Sequence, residues 1–583
     1  MKTPRLLPLT TPFASDPTLP TWGDVHPRPQ LRRDDILSLC DDWSLSVTNS
    51  VTSTQLGHVR VPFPPESRLS GIERPLAKDE KYVYTRTVIR PKAWKDGRIL
   101  LHLDAVMQCC EIIINGYPYG IHAGGYLPFT GEITGALHEG ENTLTIVAHP
   151  INLEVPYGKQ RGKRGGMWYT PISGIWQPVW LEHVPADYIT SLRLTPTLDS
   201  VTIETKGGAT EKTLRVTLPD GERMYTYTGD RFTLTLDEPI HWTPETPHLY
   251  YFSLTAGEDT IHSYFALRTI EVGESGGHQT LLLNGKPYFF HGLLDQGYFS
   301  DGIFTPASPA GFTNDVAQMK KLGFNMLRKH IKIEADTFYY DCDRLGMLVF
   351  QDMVNSGKYN FLIDTALPTA GIKRGITHRA TERRRAFFED SMAQTVHHLY
   401  NHPSVVYYTI FNEGWGQYDA DRLYGVGKAA DPTRIWDATS GWFFEKESDV
   451  QSEHVYFKKL NLKPHGRPLV LSEFGGYSLS IDDHRFNPDN AYGYRTFHTP
   501  EALSEALRRL YLDEVVPMIE RGLCATVLTQ LSDVEDEING LLTYDRQICK
   551  VDAETMRAIA DALHRAYAAV NPLQAQGDDH GKI

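Results

Sequence analysis

The chain has 583 residues, too many for one hydrophobic core, so three or four domains are expected. Its 41% hydrophobic and 22% charged content is ordinary for a soluble globular protein. A formal charge of −14, with no basic stripe, argues against a nucleic-acid partner.

Nothing after Met1-Lys2-Thr3-Pro4-Arg5 forms an apolar leader, and no run of 18 apolar residues occurs, so no signal peptide, no membrane partner and a cytoplasmic location are expected. The six cysteines make no disulfide framework; Cys109 and Cys110 are adjacent, and reduced, buried thiols are expected. No CxxC or His-rich ligand spacing appears, so neither a metal nor another cofactor is expected.

Residues 1–184 read as all-β. Short alternating strands such as 82–88 and 99–103 are separated by Gly, Pro and Asn turns, and the run 111–114 ends at Asn115-Gly116, a hairpin signal because both residues tolerate positive φ. A jelly-roll β-sandwich is the natural closure. Residues 185–272 continue as short strands with turn signals about every ten residues, the pattern of a small immunoglobulin-like β-sandwich.

From 273 to 572 the pattern changes. Eight apolar runs, beginning near 288, 325, 348, 405, 435, 454, 469 and 525, alternate with helix-period segments at 315–322, 382–400, 501–519 and 553–570. That count and length predict a (β/α)8 barrel, with the connections after strands five and six as loops. Residues 573–583 read as a polar tail.

Two strand-like runs end in carboxylates: Val405–Phe411 leads to Asn412-Glu413, and Pro468–Leu471 leads to Ser472-Glu473. A carboxylate where a buried strand runs out is costly unless something needs it. The strand count places Glu413 after strand four and Glu473 after strand seven, across the barrel mouth from each other. A paired-carboxylate site of this kind is the machinery of glycoside hydrolysis, and a separation of roughly 5–5.5 Å, the retaining geometry, is expected. Asp295 and Gln296 past strand one, Asp352 at the end of strand three and Asp533 past strand eight are candidates to bind sugar hydroxyls. Trp415, Trp442, Phe443, Phe444, Tyr477 and, from the first domain, Trp168 supply aromatic faces on which sugar rings pack. Trp442 and Trp168 are the preferred platforms.

These motifs resemble glycoside hydrolase family 2, the family of β-galactosidases, β-glucuronidases and β-mannosidases. The resemblance covers roughly residues 25–570. It rests on Gly120–Phe129 and Ser173–Glu182 in the first domain, Asn401-His402-Pro403-Ser404-Val405 leading to Asn412-Glu413, and Ser472-Glu473-Phe474-Gly475. It implies Glu413 as general acid/base, Glu473 as nucleophile, Asn412 on the sugar 2-hydroxyl, Arg328 supporting the nucleophile, Tyr456 near it, and His454 as a sugar contact. The implied enzyme is a retaining exo-acting hydrolase of a terminal β-glycoside, with a glycoside or oligosaccharide as its partner. β-Galactoside leads; β-mannoside, α-L-arabinopyranoside and transglycosylation stay open, as do a non-catalytic carbohydrate-binding protein and a homo-oligomeric state. No Asn-x-Lys pair, the glucuronidase reader of the substrate carboxylate, follows Glu473; Asn461-Leu462-Lys463 precedes it. Lys329-His330-Ile331-Lys332 replaces the usual galactosidase run, and Leu348–Met353 resembles mannosidase-like members.

Overall fold

In the computed structural model, residues 6–369, 372 and 380–572 are described. The expected tail at 573–583 lies outside them.

The N-terminal third packs a six-stranded antiparallel sheet against a four-stranded one. Alternation drives the pairing: Leu144 and Ile146 of the strand Glu141–His149 point inward with Trp43, Tyr84, Leu101, Ile112 and Leu181, while Thr143 and Thr145 lie on the outer face. The hairpin at Asn115-Gly116 forms with φ of 51° and 81°, the left-handed pair its sequence favours. A second sandwich follows, three strands on four, around Leu194, Ile203, Leu214, Val216, Leu254 and Ile261. The strand Ile270–Ser275 then opens a three-stranded sheet ending at Lys286–Pro287, so the expected change of pattern at 272/273 falls inside a strand.

Eight parallel strands form the barrel: Phe290–Asp295, Met326–Lys329, Leu348–Asp352, Val405–Asn412, Ile435–Ser440, Gln451–Val455, Leu469–Gly475 and Leu523–Thr529. Strands buried on both faces need apolar residues throughout, which is why their sequences read as runs. Hydrogen-bonded ladders join them in the order 5-4-3-2-1-8-7-6. No ladder joins strands five and six among the described residues. Side chains stitch that seam instead: Ser452 Oγ donates to the Thr439 carbonyl at 3.2 Å, and Ser440 Oγ meets His454 Nε2 at 3.0 Å.

The connections after strands five and six are loops, as expected. Two helices the sequence reading omitted, Asp336–Leu345 and Ala420–Ala430, complete the outer layer. The expected helix at 501–519 is divided by a π-turn over Leu510–Val515, one turn before Pro517, whose missing N–H cannot continue the ladder. All six cysteines are free; Cys110, Cys342 and Cys524 are buried, but Cys549 is exposed, against expectation, because it lies in the loop after strand eight. No described helix is long and apolar enough to cross a membrane.

Candidate active site

Glu413 and Glu473 meet at the C-terminal mouth of the barrel. Strand four ends at Asn412, and the Glu413 N–H still reaches the Ser440 carbonyl of strand five at 2.8 Å. Glu413 itself has φ +53°, followed by Gly414 at +72° and Gly416 at +73°. A Cβ on Gly414 would sit 2.2 Å from the Phe443 ring, and one on Gly416 would sit 2.4 Å from the Ser356 carbonyl. Gly414 and Gly416 are therefore required by the turn that aims the carboxylate. On the other side, the pairing of strand seven slips between Leu471 and Phe474, and that of strand six slips at Glu453/His454. These bulges re-aim Glu473 and His454 into the mouth.

Arg328, 1% exposed, holds the centre of the site. Its Nε donates to Asp352 Oδ1 at 3.0 Å, its Nη1 to the Ser472 carbonyl at 3.0 Å and to Glu473 Oε1 at 3.1 Å, and its Nη2 to Asn412 Oδ1 at 3.0 Å. The Tyr456 hydroxyl donates to Glu473 Oε2 at 2.5 Å. Burial alone would raise the Glu473 carboxyl, but the adjacent His454 and Arg328 outweigh it and hold it down to about 2.

His454 lies between the two glutamates, with Nδ1 2.7 Å from Glu413 Oε1 and Nε2 3.6 Å from Glu473 Oε1. Its Nε2 also meets Ser440 Oγ, whose proton goes to Ser472 Oγ at 3.0 Å; the Ser472 hydroxyl in turn reaches the Glu453 carbonyl at 3.3 Å. Ser440 thus offers His454 a lone pair, and Nε2 carries a proton. The 2.7 Å contact between Nδ1 and Glu413 then holds one further proton, on either the ring or the carboxyl. One donor atom from each of Glu413, His454 and Glu473 lies within 4.8 Å of the others, a set that could hold a metal ion. Arg328 Nη1, 3.1 Å from Glu473 Oε1, already sets a cation against one of the three.

The other expected residues divide. Asn412 and Tyr456 join the site through the contacts above. Asp352 stands behind it, bound to Arg328 and, at 2.6 Å, to His330 Nδ1, so it orients the arginine rather than facing a sugar. His454, expected as a sugar contact, is fully covered and binds Glu413 instead. Half-buried Trp442 meets the His454 ring edge-on at 6.2 Å. Trp168 is 7% exposed, packed on Trp415 and Tyr359 at 5.1 Å each and capped by the Arg161 guanidinium at 4.4 Å, so it builds a wall and is not an open platform. Asp295 is taken by Lys329 at 2.6 Å and Asp533 by Lys550 at 2.6 Å. Each is a buried ion pair, and neither carboxylate joins the glutamate pair.

Several neighbours escaped the sequence reading. His330 was visible only as a departure from a motif; burial, then the charge of Lys159, lowers it to about 4, and its Nε2 has no hydrogen-bond partner. Glu537 is buried, raised by burial, and held by the Tyr169 hydroxyl at 2.5 Å and Asn539 Nδ2 at 3.0 Å. Tyr169 comes from the first sandwich, whose loop also ties Thr170 N–H to Glu535 at 3.0 Å and Arg164 to Asp536 at 3.0 Å. That loop brings Lys159 within electrostatic reach of Glu473, Glu537 and His330.

Comparison with known proteins places this arrangement. Residues 70–185 match the glycosyl hydrolases family 2 sugar binding domain and residues 277–472 match the family's TIM barrel domain, together just over half the chain. The chain belongs to glycosyl hydrolases family 2. The family barrel match ends one residue before Glu473. Among curated relatives of this family 2 chain, a β-galactosidase of Aeromonas hydrophila is 27% identical over 481 residues, covering 72% of this chain and 44% of the relative. A β-galactosidase of Priestia megaterium is 22% identical, covering 76% of this chain and 44% of the relative. The chain therefore spans less than half the length of the curated relatives it matches. Among solved structures, a β-glucuronidase from an uncultured Clostridium species superposes with a TM-score of 0.73 at 20% identity, covering 92% of this chain and 99% of that one. A β-galacturonidase from Eisenbergiella tayi gives 0.66 at 17% identity, covering 92% and 97%. At such identities these structures establish likeness of fold alone.

Proposed function

We propose that this protein is a retaining glycoside hydrolase that cleaves a terminal β-glycoside by double displacement, with Glu473 as nucleophile and Glu413 as general acid/base. The observation that carries this reading is the approach of the two carboxylates, with an oxygen of each inside the same 4.8 Å set. An inverting pair stands roughly 6.5–9.5 Å apart to admit a water between base and sugar, so the close approach of these oxygens supports the retaining reading.

The surroundings suit the two roles. Glu473, held near 2 by its neighbours, is ionised at neutral pH and attacks the anomeric carbon. Its lone pair forms the ester bond as the glycosidic C–O bond breaks, and the proton held between Glu413 and His454 passes to the departing oxygen. Once esterified, Glu473 no longer carries charge. Glu413 can then take a proton from water, whose oxygen attacks the same carbon and releases Glu473. Arg328 and Tyr456 stabilise the carboxylate that is consumed and regenerated. Asn412, fixed by Arg328 through its Oδ1, keeps its Nδ2 donors for a sugar hydroxyl.

A β-galactoside is the first substrate reading, supported by the names of the curated relatives. A β-uronide is the second, favoured by Lys159: this cation of the first sandwich lies within electrostatic reach of Glu473 and His330, and a sugar carboxylate there would need no Asn-x-Lys pair. A panel of aryl β-glycosides differing only in the sugar decides between them. Proton NMR of the first-formed product is expected to show the β-anomer; an α-anomer would discard the double displacement.

A further inference from the structure

Beside the mouth lies a separate cavity of about 360 Å³, formed where strands six and seven run out against the loop that carries Tyr494 and Arg495. Its inner wall is the Tyr456 ring, whose hydroxyl holds Glu473, backed by Tyr494 at 4.5 Å. Phe457, 72% exposed, stands at its rim and meets Tyr494 edge-on at 4.9 Å. A phenylalanine left this open is a costly residue for a free surface and a good one for the C–H face of a sugar ring.

Charge narrows the ligand. Lys458 and Lys459 follow Phe457 directly and are exposed, and Arg495 lies 5.5 Å over the Tyr477 ring. None of the three cations forms an ion pair among the described residues. The acid of this cavity, Glu514, accepts the Leu460 N–H at 2.9 Å. In a chain of net charge −14, three cations against the single Glu514 carboxylate leave this aromatic cavity net positive, against the background field. The volume suits one sugar ring.

The geometry points to an accessory site for an anionic sugar unit, one carrying a carboxylate or sulfate, stacked on Phe457 and Tyr494 with its anion toward Lys458, Lys459 and Arg495. The unit belongs to the saccharide beyond the ring being cleaved, since Tyr456 separates this cavity from the glutamate pair. The ligand class rests on the proposed action on saccharides, but binding can be read without turnover.

The test is calorimetric titration of the Glu473→Gln protein with trigalacturonate, a sulfated galactotriose and neutral galactotriose, repeated on the same protein carrying Lys458→Glu and Lys459→Glu. The expected result is at least tenfold tighter binding of one acidic trisaccharide than of the neutral one, reduced to parity by charge reversal, with the two acidic arms telling carboxylate from sulfate. Equal affinity for all three, or a preference that survives charge reversal, overturns the proposal. Failure of the hydrolase reading is registered separately, as absence of turnover by the unmodified protein across the aryl panel.

Discussion

Arg328 is the residue on which the proposed chemistry is most exposed to a decisive test. Arg328→Met keeps a side chain of comparable reach but removes every donor to Asp352, Ser472, Glu473 and Asn412. Two buried carboxylates lose a partner, and breaking a buried charge pair costs about 3–5 kcal/mol. The sign of the pH dependence follows from Glu473. Its carboxyl is depressed from 4.5 to about 2, so its ionisation stabilises the native state fully above the ordinary value, and that contribution disappears as pH falls through 2. The loss of stability in Arg328→Met is therefore expected to be largest above about pH 4.5 and to shrink toward pH 2. In kinetics, the acid limb of kcat/KM should move up toward the ordinary carboxylate range, because burial then opposes ionisation with less resistance. A loss of about 3 kcal/mol in transition-state stabilisation corresponds to roughly a hundredfold drop in kcat/KM. Urea unfolding of the two proteins at pH 7 and pH 3, with a pH–rate profile on the best aryl glycoside, measures both effects. A variant within threefold of the parent, with an unmoved acid limb and the same midpoint at both pH values, would refute the assignment of Arg328 to the nucleophile.

Two further experiments address the acid/base and the turn that carries it. Glu413→Gln is expected to lose about 10²–10⁴-fold on glycosides with poor leaving groups but to retain the first step on a 2,4-dinitrophenyl glycoside, which departs without a proton; added azide should then yield the β-glycosyl azide, whereas an α-azide would mean that residue 413 is the nucleophile. Gly416→Ala is expected to lower stability by about 1–3 kcal/mol through its positive φ and its clash with the Ser356 carbonyl. Gly425→Ala, in open space within the helix Ala420–Ala430, should instead raise it by about 0.5–1 kcal/mol. Chemical denaturation reads both, and equal effects at the two positions would remove the steric account of the turn.

The legible part of this protein was what local chemistry dictates. Strands buried on both faces must be apolar runs, so eight of them could be counted, and the loops after strands five and six followed from missing helical periodicity. The helices Asp336–Leu345 and Ala420–Ala430 escaped because each is short; the second contains Gly425 and Gly427, which weaken its propensity. A glutamate at the end of such a run stood out because burying a charge needs a reason, and this is how Glu413 and Glu473 were found.

What only the tertiary structure decided was which partners those charges meet. Asp295 and Asp533 occupy strand-end positions as promising as that of Glu473, yet Lys329 and Lys550 neutralise them, and nothing in the order of residues announces those pairings. His454 read as a sugar contact until the Ser440–Ser472 chain across the unlaced seam fixed it against Glu413. The loop bearing Tyr169 and Lys159 reaches the mouth from the first sandwich, more than 300 residues away from Glu537 and Glu473 in the chain. Local sequence sets backbone preference and burial, but a carboxylate's proton affinity depends on charges a few ångströms distant, and those distances exist only once the domains have packed.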